Sequence, residues 1–476
     1  MSPARLRGIL AAVSAGCAGG AAAPRTEPPP PTSVVWDYDV TASRGGLDGL
    51  TVDARFAQMG GDASLRVDDD AAPFVHDVAY ASGPRWVSVE GRGPPWKVPC
   101  APGCRVRYRY DLAKAAATLN DPEAAIGASE VLVSPPATWL LRPEAAGGRF
   151  RFRISIDPPW SFATAMPVAP DAPSGAFEAP TKSLENSSFA AFGTFDVARL
   201  ARGTMRVTVA IARGLAPLSS ADATRWVETA VDAIMGYYGR PFVDRVLVIV
   251  VPGEPGNPTR GETLGDAGPA VLVRAARGST PATVRDDWVV THELLHVSLP
   301  SLGHDHAWLS EGIATYVEPI VRARAGFVTP EVYWRELVEG LPQGLPEGGD
   351  LGLERTRTWG RTYWGGALFC FAADVAIRER TGNAHSFDDA LRGIVANGAD
   401  VEAHWDIQHF IEVGDRATGT RILEELYRSM ALAPGTVDLG RMWQRLGVSF
   451  SAGRGVFDDH APLAAVRHAM TEARLP

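Results

Sequence analysis

Residues 291–296 read Thr-His-Glu-Leu-Leu-His, and residues 307–316 read Ala-Trp-Leu-Ser-Glu-Gly-Ile-Ala-Thr-Tyr. The first block carries His-Glu-x-x-His, the helical pattern of a hydrolytic zinc site. On a helix, residues four apart share one face, with Cβ atoms about 5–6 Å from each other. His292 and His296 can therefore each turn a ring nitrogen towards one ion at about 2.0–2.1 Å. Glu293 projects beside that pair, where it can hold and deprotonate a water activated by the ion. A catalytic zinc takes three protein ligands and keeps a fourth position open. Glu311, which opens what reads as the next helix, is the candidate third ligand, and one Zn2+ per chain is expected. The bland alternative is a chance match on a surface helix; a second carboxylate helix so close behind weighs against it.

Several elements must hold these residues. Ser219 and Ser220 can cap a helix whose apolar positions Trp226, Val227, Ala230, Val231, Ile234 and Tyr237 follow helical spacing, with Gly239 as a stop. Arg245 to Val251 is a continuous apolar run fit for a buried strand. A Gly-rich loop then leads to a second strand, Pro269 to Arg274. Thr280 and Pro281 read as the cap and first-turn proline of the helix carrying His292 and His296, which Pro300 ends. The strand just before that helix is expected to offer an edge to which an extended peptide can add. In the loop between the ligand helices, His304, Asp305 and His306 read as solvated residues, with outer partners of the site or an alternative ligand as the other readings. Thr315 and Glu318 follow Glu311 at helical spacing and could orient a ligand histidine. His404 and His409 read as structural or surface residues.

Composition sets the frame. At 476 residues the chain needs two or three domains, and 46% hydrophobic content is ample for their cores. A net charge of −9 argues against a nucleic-acid-binding surface. No apolar run approaches the ~20 residues that span a bilayer. Arg5 and Arg7 precede a short apolar stretch and then Ser14-Ala15-Gly16-Cys17, which reads as an export signal over residues 1–17. The Ala-Gly-Cys ending resembles a lipobox, with Ser14 standing where leucine is usual. A lipidated Cys17 would attach the chain to a membrane, and an exported, cell-envelope or secreted protein of bacterial type is expected. Residues 18–33 are a Pro/Ala/Gly-rich linker. Cys100 and Cys104 flank a turn sequence, fitting a small hairpin disulfide, with half of a metal-binding motif as the rival reading. Cys370 lies in an apolar helical run and reads as a buried free thiol.

Residues 34–207 alternate apolar and charged in short runs, as in Arg105–Tyr110 and Arg149–Ile156, and read as a β-sandwich-like domain interrupted by a helix near Leu112 to Ile126. Residues 326–476 read as helical, with Tyr363 to Arg380 followed by Gly382 and then a capping box at Ser386-Phe387-Asp388-Asp389.

The two blocks around His292 and Glu311 resemble the gluzincins, metallopeptidases whose third zinc ligand is a glutamate. Tyr363-Trp364-Gly365-Gly366-Ala367-Leu368, then Arg378-Glu379-Arg380-Thr381-Gly382 and Ser386-Phe387-Asp388-Asp389, are similar to the glycyl-aminopeptidase-like family of that clan. The resemblance implies an α+β multidomain protein. Its parts would be a β-rich N-terminal domain, a thermolysin-like zincin catalytic domain over 208–325 and a helical C-terminal domain over 326–476. It implies His292, His296 and Glu311 as metal ligands, Glu293 as general base, and Tyr363 as the hydroxyl that donates to the oxyanion. The chain departs from the family at Gly365, where a lysine is usual, and in a short spacer between His296 and Glu311. It also lacks the Gly-Ala/Gly-Met-Glu-Asn stretch of exopeptidases and a C-terminal PDZ domain. The expected function is therefore an exported zinc metallopeptidase acting on peptides or proteins. The other readings are a degenerate zinc-containing binding protein and a zinc hydrolase of a non-peptide substrate.

Overall fold

The computed structural model describes residues 33–472 except 58, 60, 92, 145–146, 171–174 and 452. The export signal, Cys17 and all but the last residue of the linker lie outside the described residues.

A seven-stranded sheet forms the N-terminal body, in the order Ala176–Pro180, Arg149–Ile156, Val34–Ala42, Leu50–Ala57, Gly103–Tyr110, Val75–Ser82 and Arg85–Ser88. Its strands alternate as period-two sequence demands. Phe150 and Phe152 point into the core, while Arg151 and Arg153 point out to Glu178, Asp37 and Asp39. The core closes over Trp139, Tyr38 and Tyr108; the buried hydroxyls of Tyr38 and Tyr108 donate to the main-chain oxygens of Leu141 and Trp139. Helix Leu112–Leu119 interrupts the strands and stops at the left-handed Asn120, six residues before the expected end at Ile126, which instead opens the strand Ile126–Ala128. Cys100 and Cys104 form a disulfide, and Cys370 is buried and free.

A second sheet of five strands carries the site, ordered Phe195–Arg202, Met205–Ala212, Arg245–Pro252, Ala270–Ala275 and Arg260–Leu264. The middle three strands are parallel, and both outer ones are antiparallel to their neighbours. Its middle strands are apolar on both faces because both are covered. Val207, Val209, Val248, Val250, Val271 and Val273 pack under helices, whereas Ala210, Leu247, Ile249 and Leu272 pack on a four-stranded sheet of the N-terminal body. The sequence division at Val207 falls inside the strand Met205–Ala212. That strand's pairing with Arg206 opposite Arg245 through Ile211 opposite Val250 puts it in the five-stranded sheet.

Two further expectations are corrected. The strand Ala270–Ala275 is interior, and the open edge is Arg260–Leu264, which read as loop because its glycines and prolines mask a short alternating run. Thr280 and Pro281 start a separate short helix, Pro281–Arg285. The metal helix runs Val289–Val297 and has its own start, where the Asp287 carboxylate accepts from the Val289 N–H at 2.9 Å. Helix Ser220–Tyr238 has its cap at Ser219 and its left-handed stop at Gly239, as its sequence specifies.

Residues beyond 326 are mostly helical, and the helix Phe387–Ala396 opens with the capping box at Ser386 and Asp389. A small hairpin, Val448–Ser451 with Arg454–Phe457, departs from the all-helical expectation. It is set off by Gly447, which ends the helix Leu439–Leu446 in the left-handed conformation.

Candidate metal centre

His292 and His296 sit one turn apart on the metal helix, which is buried almost throughout between the five-stranded sheet and the helix Ala307–Arg324. The latter is the glutamate helix, and Glu311 lies in its second turn. One oxygen of Glu311, Oε2, lies 3.3 Å from His292 Nε2 and 3.4 Å from His296 Nε2. The two Nε2 atoms are themselves 3.3 Å apart. Ligands about 2.0–2.1 Å from a tetrahedral ion stand roughly 3.3–3.4 Å from one another. The three donor atoms thus form one face of the tetrahedron that zinc requires. Among the described residues, no other group of three or more His, Cys, Asp and Glu converges in this way.

Electrostatics agrees with the geometry. Burial works against a charged imidazole at His296, yet the Glu311 carboxylate outweighs it and the ring is pushed up to about 9. Burial also opposes charge on Glu311, and the two histidines overcome it, holding the carboxylate well below the usual range. The pocket favours positive charge where the three atoms meet, the sign of charge a metal cation would bring. His296 presents Nε2 because its Nδ1 bonds Ser310 Oγ at 3.0 Å. His292 Nδ1 is buried with no hydrogen-bond partner among the described residues; the Trp288 ring packs edge-on to its imidazole at 5.2 Å.

Glu293 is buried and turned towards the edge strand. Thr263 Oγ1 donates to it, lying 2.8 Å from Oε2 and 3.0 Å from its main-chain oxygen. Gly261, two residues earlier on that strand, leaves the room this needs: a Cβ there would stand 2.4 Å from Glu293 Cγ. Tyr363 lies in a π-turn, Arg361–Gly365, that leads into the helix Gly366–Thr381. Burial first, then the Glu311 and Glu293 carboxylates, push its phenol up to about 12. Tyr363 therefore keeps its proton at neutral pH.

Gly365 has a packing reason. A Cβ at that position would meet Leu353 Cδ2 at 2.8 Å and Arg361 Nη1 at 3.2 Å, so the buried Arg361 guanidinium already lies where a lysine stem would begin. Arg361 is held there by Asp350 at 2.8 Å.

Other expectations are revised. Glu318 does not orient a ligand; it is consumed by a buried pair with Arg322. No hydrogen bond joins Thr315 to either ligand ring among the described residues. Asp305 and His306 are engaged with the segment that precedes Tyr363, pairing with Arg357 and with Glu354 at 2.9 Å. His404 bonds Asp266, and His409 packs against Trp405, as structural residues do. Thr263, Ser310, Trp288 and Trp359 escaped the sequence reading. Only Ser310 carried a signal, as the polar neighbour of Glu311 one residue before it.

No family model matches the chain, and no curated protein matches its sequence. Solved structures do match. An aminopeptidase N family protein from Idiomarina loihiensis superposes with a TM-score of 0.67 at 14% identity, over 87% of this chain and 78% of that one. A variant of the M1 zinc metallopeptidase from Deinococcus radiodurans, bound to a Tyr-Ser-Ala substrate, superposes with a TM-score of 0.51 at 16% identity, over 86% and 95%. The chain has the multidomain fold of these metallopeptidase structures.

Proposed function

We propose that the chain is an exported zinc-dependent metallopeptidase that hydrolyses peptide bonds with Glu293 as general base. The observation that carries this is the 3.3–3.4 Å triangle of His292 Nε2, His296 Nε2 and Glu311 Oε2, with a buried carboxylate beside it. These three residues would hold the zinc, which supplies Lewis acidity for a scissile carbonyl and for the attacking water. Glu293 takes the proton of that water and delivers it to the leaving amine. Thr263 keeps the carboxylate aimed at the site rather than free to rotate. Tyr363 donates a hydrogen bond to the oxygen that gains charge as attack proceeds, a contact that strengthens only in the transition state. The open edge Arg260–Leu264 offers main-chain groups to an extended peptide running past Glu293. Export is supported by the signal-like residues 1–17 and by the Cys100–Cys104 disulfide, which persists in oxidising compartments.

The test is a mixed peptide library cleaved by residues 18–476 and read by mass spectrometry, beside Glu293→Gln. The expected result is one zinc per chain in both proteins, with cuts by the wild type and turnover lowered roughly 10²–10⁴-fold in the variant. Equal activity in the two would remove Glu293 from the mechanism. Zinc without cuts in either would favour a binding protein or a non-peptide substrate.

A further inference from the structure

Two of the large hydrophobic side chains that the described surface leaves exposed are tryptophans, and both touch rings of the site. Trp359 is 63% exposed and stacks on Tyr363, centroids 5.7 Å apart and planes 30° apart. Trp288 is 48% exposed and packs against the ligand His292. Neither is needed to fill a core, and leaving an indole in water forgoes the stabilisation its burial would bring. Each is held by a neighbour whose position matters to the chemistry, so the rings stand at the rim of the site itself.

The rest of the rim says what should cover them. The edge strand Arg260–Leu264 is paired on one side only, to Ala270–Ala275, and it passes directly over Glu293 at Gly261 and Thr263. An extended peptide added there presents alternate side chains to pockets on either side of the strand plane. Val289, which directly follows Trp288, lies under Gly261, where a Cβ would approach its Cγ1 to 2.8 Å. Trp288 therefore belongs to the Arg260–Gly261 end of the strand. A peptide running antiparallel to the edge carries its C-terminal half towards that end.

We infer that Trp288 and Trp359 form an aromatic subsite that selects extended peptides bearing an aromatic or large aliphatic side chain next to the scissile bond. The inference rests on the peptidase reading above and specifies its substrate class. Flat indole faces grip such side chains by area and by offset or edge-on ring contacts, and offer nothing to an acidic or small polar one. Trp288 serves the residue on the leaving-group side.

The test compares quenched fluorogenic peptides that differ only in the residues flanking the cut: Phe or Leu against Ala, Ser and Asp. The wild type should favour Phe and Leu by about 10–200-fold in kcat/KM, the range of one large apolar contact. Trp359→Ala and Trp288→Ala should each erase most of that preference while changing the Ala-flanked peptide less than about threefold, and Trp359→Phe should restore it. A uniform fall in kcat for all peptides would mean that Trp359 only props Tyr363, and would overturn the subsite. So would a wild type without preference. Glu293→Gln, loaded with zinc and titrated with the same peptides by calorimetry, separates the two readings. Selective binding of Phe-flanked peptides, abolished by the tryptophan changes, upholds the subsite even where the wild type cuts nothing. Equal binding of all peptides overturns it even where cleavage occurs.

Discussion

At the scale of single residues, the centre is built from short-range constraints that act on a few atoms. His296 is oriented by one hydroxyl, Ser310, and Glu293 by another, Thr263. Tyr363→Phe removes the phenol without removing the stack. Its expected effect is a kcat lowered roughly 10²–10³-fold, as for loss of one oxyanion donor, with KM and zinc content little changed. Steady-state kinetics beside a zinc assay of the same samples checks both statements. Thr263→Val keeps shape and removes the hydroxyl. It should lower kcat by about tenfold or more while zinc stays bound, since the buried Glu293 carboxylate loses its only hydrogen-bonding side chain among the described residues.

At the scale of elements, the distance between the metal carboxylate and the phenol is decided by two glycines. Gly312 follows Glu311, and a Cβ on it would stand 2.3 Å from the Gly366 carbonyl carbon; a Cβ on Gly366 would stand 2.0 Å from the Trp308 carbonyl oxygen. The glutamate helix and the helix after Tyr363 therefore touch backbone to backbone, and backbone cannot yield as a flexible side chain can. Gly312→Ala or Gly366→Ala should separate the helices, cost about 1–3 kcal/mol of stability and weaken zinc binding. Denaturation with and without a chelator reads both. The same variants should reduce kcat by more than the loss of zinc explains, because Tyr363 moves with its helix.

At the scale of the whole molecule, buried charges tie the glutamate helix to the helices behind it. Arg378 pairs with Asp374 at 2.9 Å, Arg324 pairs with Asp388 at 2.9 Å, and Tyr316 and Tyr237 donate to those acids at 2.8 Å and 3.1 Å. All four charged side chains are nearly inaccessible. Asp388 is held below the usual carboxylate range by Arg324 and its neighbouring arginines, against strong desolvation. Breaking such a pair by removing one charge leaves the other buried and unmatched. Asp388→Ala should cost about 3–5 kcal/mol, visible as a lowered midpoint in urea. The sign of the pH effect follows from the depressed carboxyl: its contribution is present above the unfolded value and is lost as pH falls through the folded one. Destabilisation by acid should accordingly be smaller in the variant than in the wild type.

Much of this was legible before any coordinates. His292, Glu293, His296 and Glu311 announce themselves because a helix turns sequence spacing of four into spatial proximity, and because caps such as Ser219 and Ser386 mark where helices begin. Tyr363 was legible only through a family resemblance, since nothing in its own surroundings in the sequence sets it apart from a core aromatic. The remaining decisions belong to contacts between elements distant in sequence. The edge strand, the role of Thr263 and the pairing of Met205–Ala212 with Arg245–Pro252 depend on which strands lie side by side. Glu318 was diverted to Arg322, and Gly365 was required because Arg361 and Leu353 already occupy its space. Local spacing thus determined by itself which residues could hold a metal. Only the packing of helix on helix and strand on strand decided that their donor atoms meet 3.3–3.4 Å apart, because that distance depends on backbone approaches such as Gly312 against Gly366, which no local pattern encodes.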